Sequence, residues 1–197
     1  MKPWQYHNPV AVHFGAGVID SLPQALAGRR ATLVTFPEAE AFGLLPRLRK
    51  LLGASLAGVI DRTQPNPDVD GLDVLYREFW RSRETGDVIV AVGGGSALDT
   101  AKALMVGTES GEFDALVALL ATGKPFTPHR VKPLIAVPTT SGTGSEVTGW
   151  ATVWHKAAGK KYSLHLPQTW PEAAFVDPEL VLSLPTGPTL AAGLDAL

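Results

Sequence analysis

The sequence predicts an α/β domain: a parallel sheet with helices on both faces, and one β-hairpin added late in the chain. Three observations carry this. Strand-sized apolar runs alternate with longer amphipathic runs as far as Val137, the order expected when crossover helices join parallel strands. The clearest apolar run, Asp87 to Val92 (DVIVAV), leads directly into Gly93-Gly94-Gly95-Ser96 and a helical stretch. After Thr148 the order changes, and two β-rich runs flank a short Ala157-Ala158-Gly159 link.

The elements follow in order. Val10 to Phe14 reads as a strand ended by Gly15 and Gly17, and Val18 to Leu26 has helical spacing. Ala31 to Phe36 (ATLVTF) is unbrokenly β-prone, as a parallel strand buried on both faces should be. Glu38 to Leu52 carries Leu44, Leu45, Leu48, Leu51 and Leu52 at helical spacing, blemished by Pro46. Leu56 to Ile60 is a further strand. Asn66-Pro67-Asp68 breaks the chain, and Asp68 is placed to cap a helix from Val69 to about Arg83. The helix after the glycines runs from Ala97 to about Val106, and Pro133 to Val137 (PLIAV) is another buried strand. Trp150 to His155 and Lys161 to His165 pair as the hairpin, Ala173 to Val176 is a last strand, and Pro185 to Leu197 is a loop entering a helix.

With 45% apolar and 18% charged residues, the chain has an ordinary globular composition. Its 197 residues can bury a core without covalent staples. A net charge of −2 and scattered basic residues argue against nucleic acid or a membrane surface as partner. The absence of cysteine excludes disulfides, thiolate-held metals and a cysteine nucleophile. The N-terminal MKPWQYHNPV has no signal-peptide core, and no apolar stretch approaches a membrane span. Together these features predict a soluble, cytoplasmic protein.

Two segments carry chemistry. In GGGSALDTAKAL, glycines between strand and helix let a phosphate approach main-chain N–H groups without a Cβ clash. The helix start adds unpaired donors and the positive end of its dipole. Ser96 can cap that helix or donate to a phosphate. The spacing is neither the usual dinucleotide fingerprint nor a Walker loop, so a tight turn that binds nothing is the alternative for this segment alone. Asp99 and Lys102, one turn apart, read as a surface ion pair. The second segment, Pro138 to Thr148 (PTTSGTGSEVT), is dense in glycine and hydroxyls, which converge on anions without bulk. Both segments follow parallel-type strands. Such loops share one sheet edge, where ligands of open α/β folds bind.

Taken together, GGGSALDTAKAL and PTTSGTGSEVT, with VDPEL at Val176–Leu180 and AAGLDAL at Ala191–Leu197, resemble the iron-containing (group III) alcohol dehydrogenases. The opening WQYHNPVAVHFG resembles the phosphonoacetaldehyde reductase branch of that family. The resemblance implies a Rossmann-like domain over 1–185 that binds NAD(H) or NADP(H). It also implies that 186–197 begins a helical, metal-binding domain that is otherwise absent. Gly94, Gly95 and Ser96 match residues on the pyrophosphate, and Asp99 is counted with the cofactor-binding set. Thr139, Thr140 and Thr143 match contacts to phosphates, ribose or adenine, and Ser145 and Val147 match positions near the nicotinamide. Lys161, or Lys160 if the register slips by one, matches a lysine on the nicotinamide-side ribose. Leu180 or Leu182 matches a leucine beside the adenine.

Asp195 matches the first of the family's metal ligands, for Fe2+ or Zn2+. The histidine expected four residues on, and two later ones, have no counterpart in the chain. One carboxylate does not make a tight divalent site, so the expectation is no metal on this chain alone. The family's aspartate at the end of the strand matching ATLVTF is also missing; the chain reads Thr35-Phe36-Pro37-Glu38, which leaves NAD versus NADP open. The implied activity is hydride transfer between NAD(P)H and a small alcohol or aldehyde. The alternatives are an inactive nucleotide-binding module, a dimerisation fragment forming a homodimer, and a glycerol dehydrogenase or dehydroquinate synthase relative.

Overall fold

The computed structural model describes residues 3–82 and 85–197. Its centre is a six-stranded sheet in the order β1 (Ala11–Phe14), β10 (Ala173–Val176), β7 (Leu134–Pro138), β4 (Val88–Gly93), β2 (Ala31–Val34), β3 (Leu56–Ile60). Every neighbouring pair is parallel. Alternate residues of the central strands feed two cores. Val88, Val90, Val92, Ile135 and Val137 pack with α1 (Leu22–Leu26) and α2 (Leu44–Leu52). Ile89, Ala91, Leu134 and Ala136 pack with α3 (Val69–Arg81) and α4 (Gly95–Met105) on the other side. Burial on both faces is why these strands read as continuous apolar runs.

Local chemistry adjusts several predicted boundaries. The stretch 18–26 is a 3-10 turn (Val18–Ser21) followed by the short α1, and the stretch 38–52 divides in the same way, into a turn at Pro37–Ala39 and α2. Pro46 falls in the first turn of α2, where its missing N–H has no intrahelical partner to lose. α3 presents Val69, Leu72, Leu75, Tyr76, Phe79 and Trp80 to the core and ends at Arg81; Arg83, its expected end, lies outside the described residues. Asp68 does precede α3, but its carboxylate accepts from the Lys156 N–H (2.8 Å) instead of capping the helix. Gly94 is the cap residue of α4, so Ser96 lies inside the helix, its Oγ accepting from the Asn66 N–H (3.0 Å).

The predicted hairpin is present as β8 (Trp150–His155) and β9 (Lys160–His165), antiparallel, with Trp150 opposite His165. Its Ala151, Val153 and Leu164 join the core that also holds Leu98 and Ala101 of α4. α4 is thus enclosed between sheet, α3 and hairpin, and nearly all its residues are buried. Between α4 and β7 lie β5 (Val106–Gly107), α5 (Asp114–Thr122) and β6 (Arg130–Val131), which the sequence reading did not resolve. The last element, α6 (Thr186–Asp195), has no buried residue.

Candidate functional site

Four adjacent strands end at one crevice. Phe36 follows β2, Gly94 follows β4, Thr139 and Thr140 follow β7, and Leu180 lies in the turn after β10; all of them line a cavity of about 500 Å3. Sheet register explains the convergence. Gly93 pairs with Pro138 at the C-terminal ends of β4 and β7, and the Thr139 N–H donates to the Gly93 carbonyl (3.0 Å). The two glycine-containing loops therefore leave the sheet side by side.

Their contact is close enough to dictate residue type. A Cβ on Gly94 would sit 3.2 Å from Thr140 Cγ2, and one on Gly95 would sit 2.9 Å from Thr143 Cγ2. The second loop thus leans on the glycines of the first, and larger residues would push the two apart. The Ala97 and Leu98 N–H groups already donate to the Gly94 carbonyl. The Gly95 and Ser96 N–H groups remain as helix-end donors next to Gly94, with the positive end of the α4 dipole behind them. This is a setting for an anion.

Asp99 and Lys102 do not form a surface ion pair. Lys102 is fully buried. Its ammonium donates to the Ser145 carbonyl (2.6 Å), Ser145 Oγ (2.9 Å) and the Trp150 carbonyl (2.7 Å). Asp99 accepts from Ser145 Oγ (2.9 Å) and the Thr152 N–H (3.0 Å). Burial pushes the Asp99 carboxyl above the usual carboxylate range, against the Thr152 and Ser145 hydrogen bonds and the charges of Lys102 and Lys161. Burial also lowers Lys102 to about 8, against the attraction of Asp99 and Glu146. Lys and Asp at this helical spacing usually share a solvated face; here the hairpin covers that face, a long-range effect that local spacing does not encode.

The family model described as iron-containing alcohol dehydrogenase matches residues 9–178. The chain belongs to that family. It is 36% identical over 195 residues to 4-hydroxybutyrate dehydrogenase of Cupriavidus necator, covering 98% of this chain and 50% of that protein. It is also 36% identical to choline dehydrogenase of Bacillus subtilis, covering 98% of this chain and 48% of that one. The structure of sulfoacetaldehyde reductase from Bifidobacterium kashiwanohense in complex with NAD+ superposes with a TM-score of 0.85 at 32% identity, covering 99% of this chain and 51% of that one. The chain spans about half the length of the relatives it matches.

The residues singled out by resemblance to the iron-containing alcohol dehydrogenases divide in the structure. Gly94, Thr139, Thr140 and Leu180 line the crevice; Gly95 and Ser96 open α4 beside it, and Thr143 abuts Gly95. Ser145 and Val147 form a single 3-10 turn at the end of the second loop. Lys161 is exposed on β9, its ammonium over the Trp154 ring (5.2 Å) and its charge felt at Asp99. Leu182 is 81% exposed and lies off the crevice, so of the two candidate leucines only Leu180 faces it. Asp177 sets that geometry: its buried carboxylate accepts from the Glu179 N–H (3.0 Å) and the Ile19 N–H (3.4 Å), fixing the turn that carries Leu180.

Sequence reasoning missed part of the crevice wall. Phe42, Arg47, Pro65 and Glu179 line it as well. Thr35, at the strand end where the family's aspartate was sought, turns inward and donates to the Val92 carbonyl (2.8 Å), leaving Phe36 to face the cavity. A dinucleotide fits this donor set of helix-end N–H groups, small hydroxyl residues and an apolar wall. A divalent metal does not: Asp195 ends α6 as an exposed carboxylate, and among the described residues no three His, Cys, Asp or Glu side chains gather.

Proposed function

We propose that this chain binds NAD(H) or NADP(H) in the crevice and is the cofactor-binding part of an alcohol dehydrogenase or aldehyde reductase acting on a small alcohol or aldehyde. The observation that carries the reading is the β4–β7 register, which seats the Gly93 and Pro138 loops together at the open end of α4. Gly94, Gly95 and Ser96 would hold the diphosphate through main-chain N–H groups. Thr139, Thr140 and Thr143 would supply hydroxyls to phosphate or ribose, Phe36 and Leu180 would pack on the adenosine end, and Ser145, Val147 and Lys161 would lie toward the nicotinamide. The nicotinamide supplies hydride donation and acceptance; the chain's residues supply position and polarity. Asp195 alone does not hold a metal, so this chain is assigned no metal-dependent step, and by itself it is expected to bind cofactor without turnover. Relatives named for 4-hydroxybutyrate, choline and sulfoacetaldehyde differ too much in charge to select a substrate. Among the described residues no helix is long and apolar enough to cross a membrane.

Fluorescence titration with NADH and NADPH tests the reading. Saturable binding of both is expected, NADH the tighter by up to roughly tenfold, because the crevice wall carries two carboxylates, Glu38 and Glu179, against one guanidinium, Arg47. Gly94→Val, which fills the crevice and presses on Thr140, is expected to weaken binding by at least about tenfold with the fold intact. Failure of both nucleotides to bind the wild-type chain would overturn the assignment. Turnover of a simple alcohol with added iron or zinc would overturn the cofactor-only role. A homodimer is the second reading, favoured by exposed Leu190 and Leu194 on α6; a concentration-independent monomer mass in light scattering removes it.

A further inference from the structure

Lys102 has no surface exposure, yet the crevice reading gives it nothing to do. It sits in the last turn of α4, about two helical turns beyond the glycine loop and far in sequence from the second loop, and spends all three of its donors on the backbone and hydroxyl of Ser145 and the carbonyl of Trp150. Ser145 in turn donates its N–H to Thr143 Oγ1 (3.2 Å) and its hydroxyl to Asp99 (2.9 Å). Thr143 is the residue that touches Gly95. An unbroken path of hydrogen bonds and contacts thus runs from the Lys102 ammonium, through the 145–147 turn, to the glycine loop. The same ammonium fixes the first residue of β8, so the hairpin and the second loop are tied to one point on α4.

We propose that Lys102 is a positioning residue, whose buried ammonium holds the 145–147 turn and the second loop against the glycine loop in the arrangement that receives a dinucleotide. The proposal rests on the crevice reading above. A charged ammonium satisfies all three acceptors, whereas a neutral amine has only two hydrogens to donate. Burial has already drawn this group down to about 8, so the clamp weakens within an accessible pH range. The charged groups that act on it are Asp99 from its own helix and Glu146 from the turn, both holding the proton on. Lys161 on β9 acts only through Asp99. β4, β7 and the core face of β8 present apolar side chains to α4.

The test compares the wild-type chain with Lys102→Met by NADH and NADPH fluorescence titration from pH 6.5 to 9.5, with circular dichroism as the check on folding. At pH 7 the variant is expected to bind roughly tenfold or more weakly. Wild-type affinity is expected to fall toward the variant's as the pH passes about 8, while the variant's stays level. Equal affinities of wild type and folded variant, or a wild-type affinity level through pH 8, overturn the proposal and leave the crevice reading standing. No binding by the wild type at any pH overturns both. Should Lys102→Met not fold, the wild-type pH series decides alone. A role confined to stability would leave that affinity unmoved.

Discussion

At the scale of single residues, the site is built from groups whose neighbours overrule their usual behaviour. Lys102 is the sharpest case, and its linkage has a definite sign. Its proton is held less tightly in the folded chain (about 8) than in the unfolded one (10.5). The stability this shift contributes is therefore complete above 10.5, declines as the pH falls from there, and is gone below about 8. Urea unfolding between pH 7.5 and 10 should show stability rising with pH, by up to about 3 kcal/mol if this group dominates. Lys102→Met should flatten that rise, and a wild-type curve that declines through the window would contradict it. Stability and cofactor affinity are thus expected to move in opposite directions over the same pH range. None of this was legible locally. Asp99 and Lys102 sit at the spacing of an ordinary solvated pair, and only the hairpin, some fifty residues later in the chain, buries them. The glycines were legible, but for a different reason from the one the structure adds. Gly94 and Gly95 were read as making room for a phosphate, and they also make room for Thr140 and Thr143.

At the scale of elements, strands announced themselves because burial on both faces demands uninterrupted apolar residues. AAFV falls where the sequence reading put it, and the strands of DVIVAV and PLIAV lie one residue later than read, at Val88–Gly93 and Leu134–Pro138. Helices were harder to bound where turns share their chemistry, as in the two segments that begin as 3-10 turns before α1 and α2. The segment between α4 and β7 was missed because α5, DALVALLAT, is too evenly apolar to show a face and β5 and β6 are two residues each. Tyr76 shows how α3 is fastened to the end of α4. Its buried hydroxyl donates to the Val106 carbonyl (2.6 Å) and accepts from the Thr108 N–H (2.7 Å). Tyr76→Phe keeps the ring but strands both backbone groups. It should cost about 1–3 kcal/mol in urea unfolding and leave NADH affinity within about twofold, because the crevice lies at the other end of α4. A loss of affinity as large as that expected for Gly94→Val would mean that the α3–α4 junction controls the site.

At the scale of the whole molecule, the crevice lies where it does because strand order reverses between β2 and β4. The chain runs outward from β2 to β3, then crosses back to continue through β4, β7 and β10. Loops leaving β2 and β4 depart in opposite directions and cannot fill the gap between them, the usual ligand position in open α/β sheets. A ligand there would touch segments following five of the six strands, so its binding energy must be lost before the sheet can come apart. At a free cofactor concentration about 100 times Kd, binding should add about 2.7 kcal/mol to stability. For a domain of this size that corresponds to a melting temperature higher by about 5–10 °C. Differential scanning fluorimetry with NADH and NADPH measures it, and Gly94→Val, binding at least about tenfold more weakly, should show no more than about half that rise at the same concentrations. An equal rise in that variant would place the bound nucleotide away from the junction of the two loops, whatever its affinity.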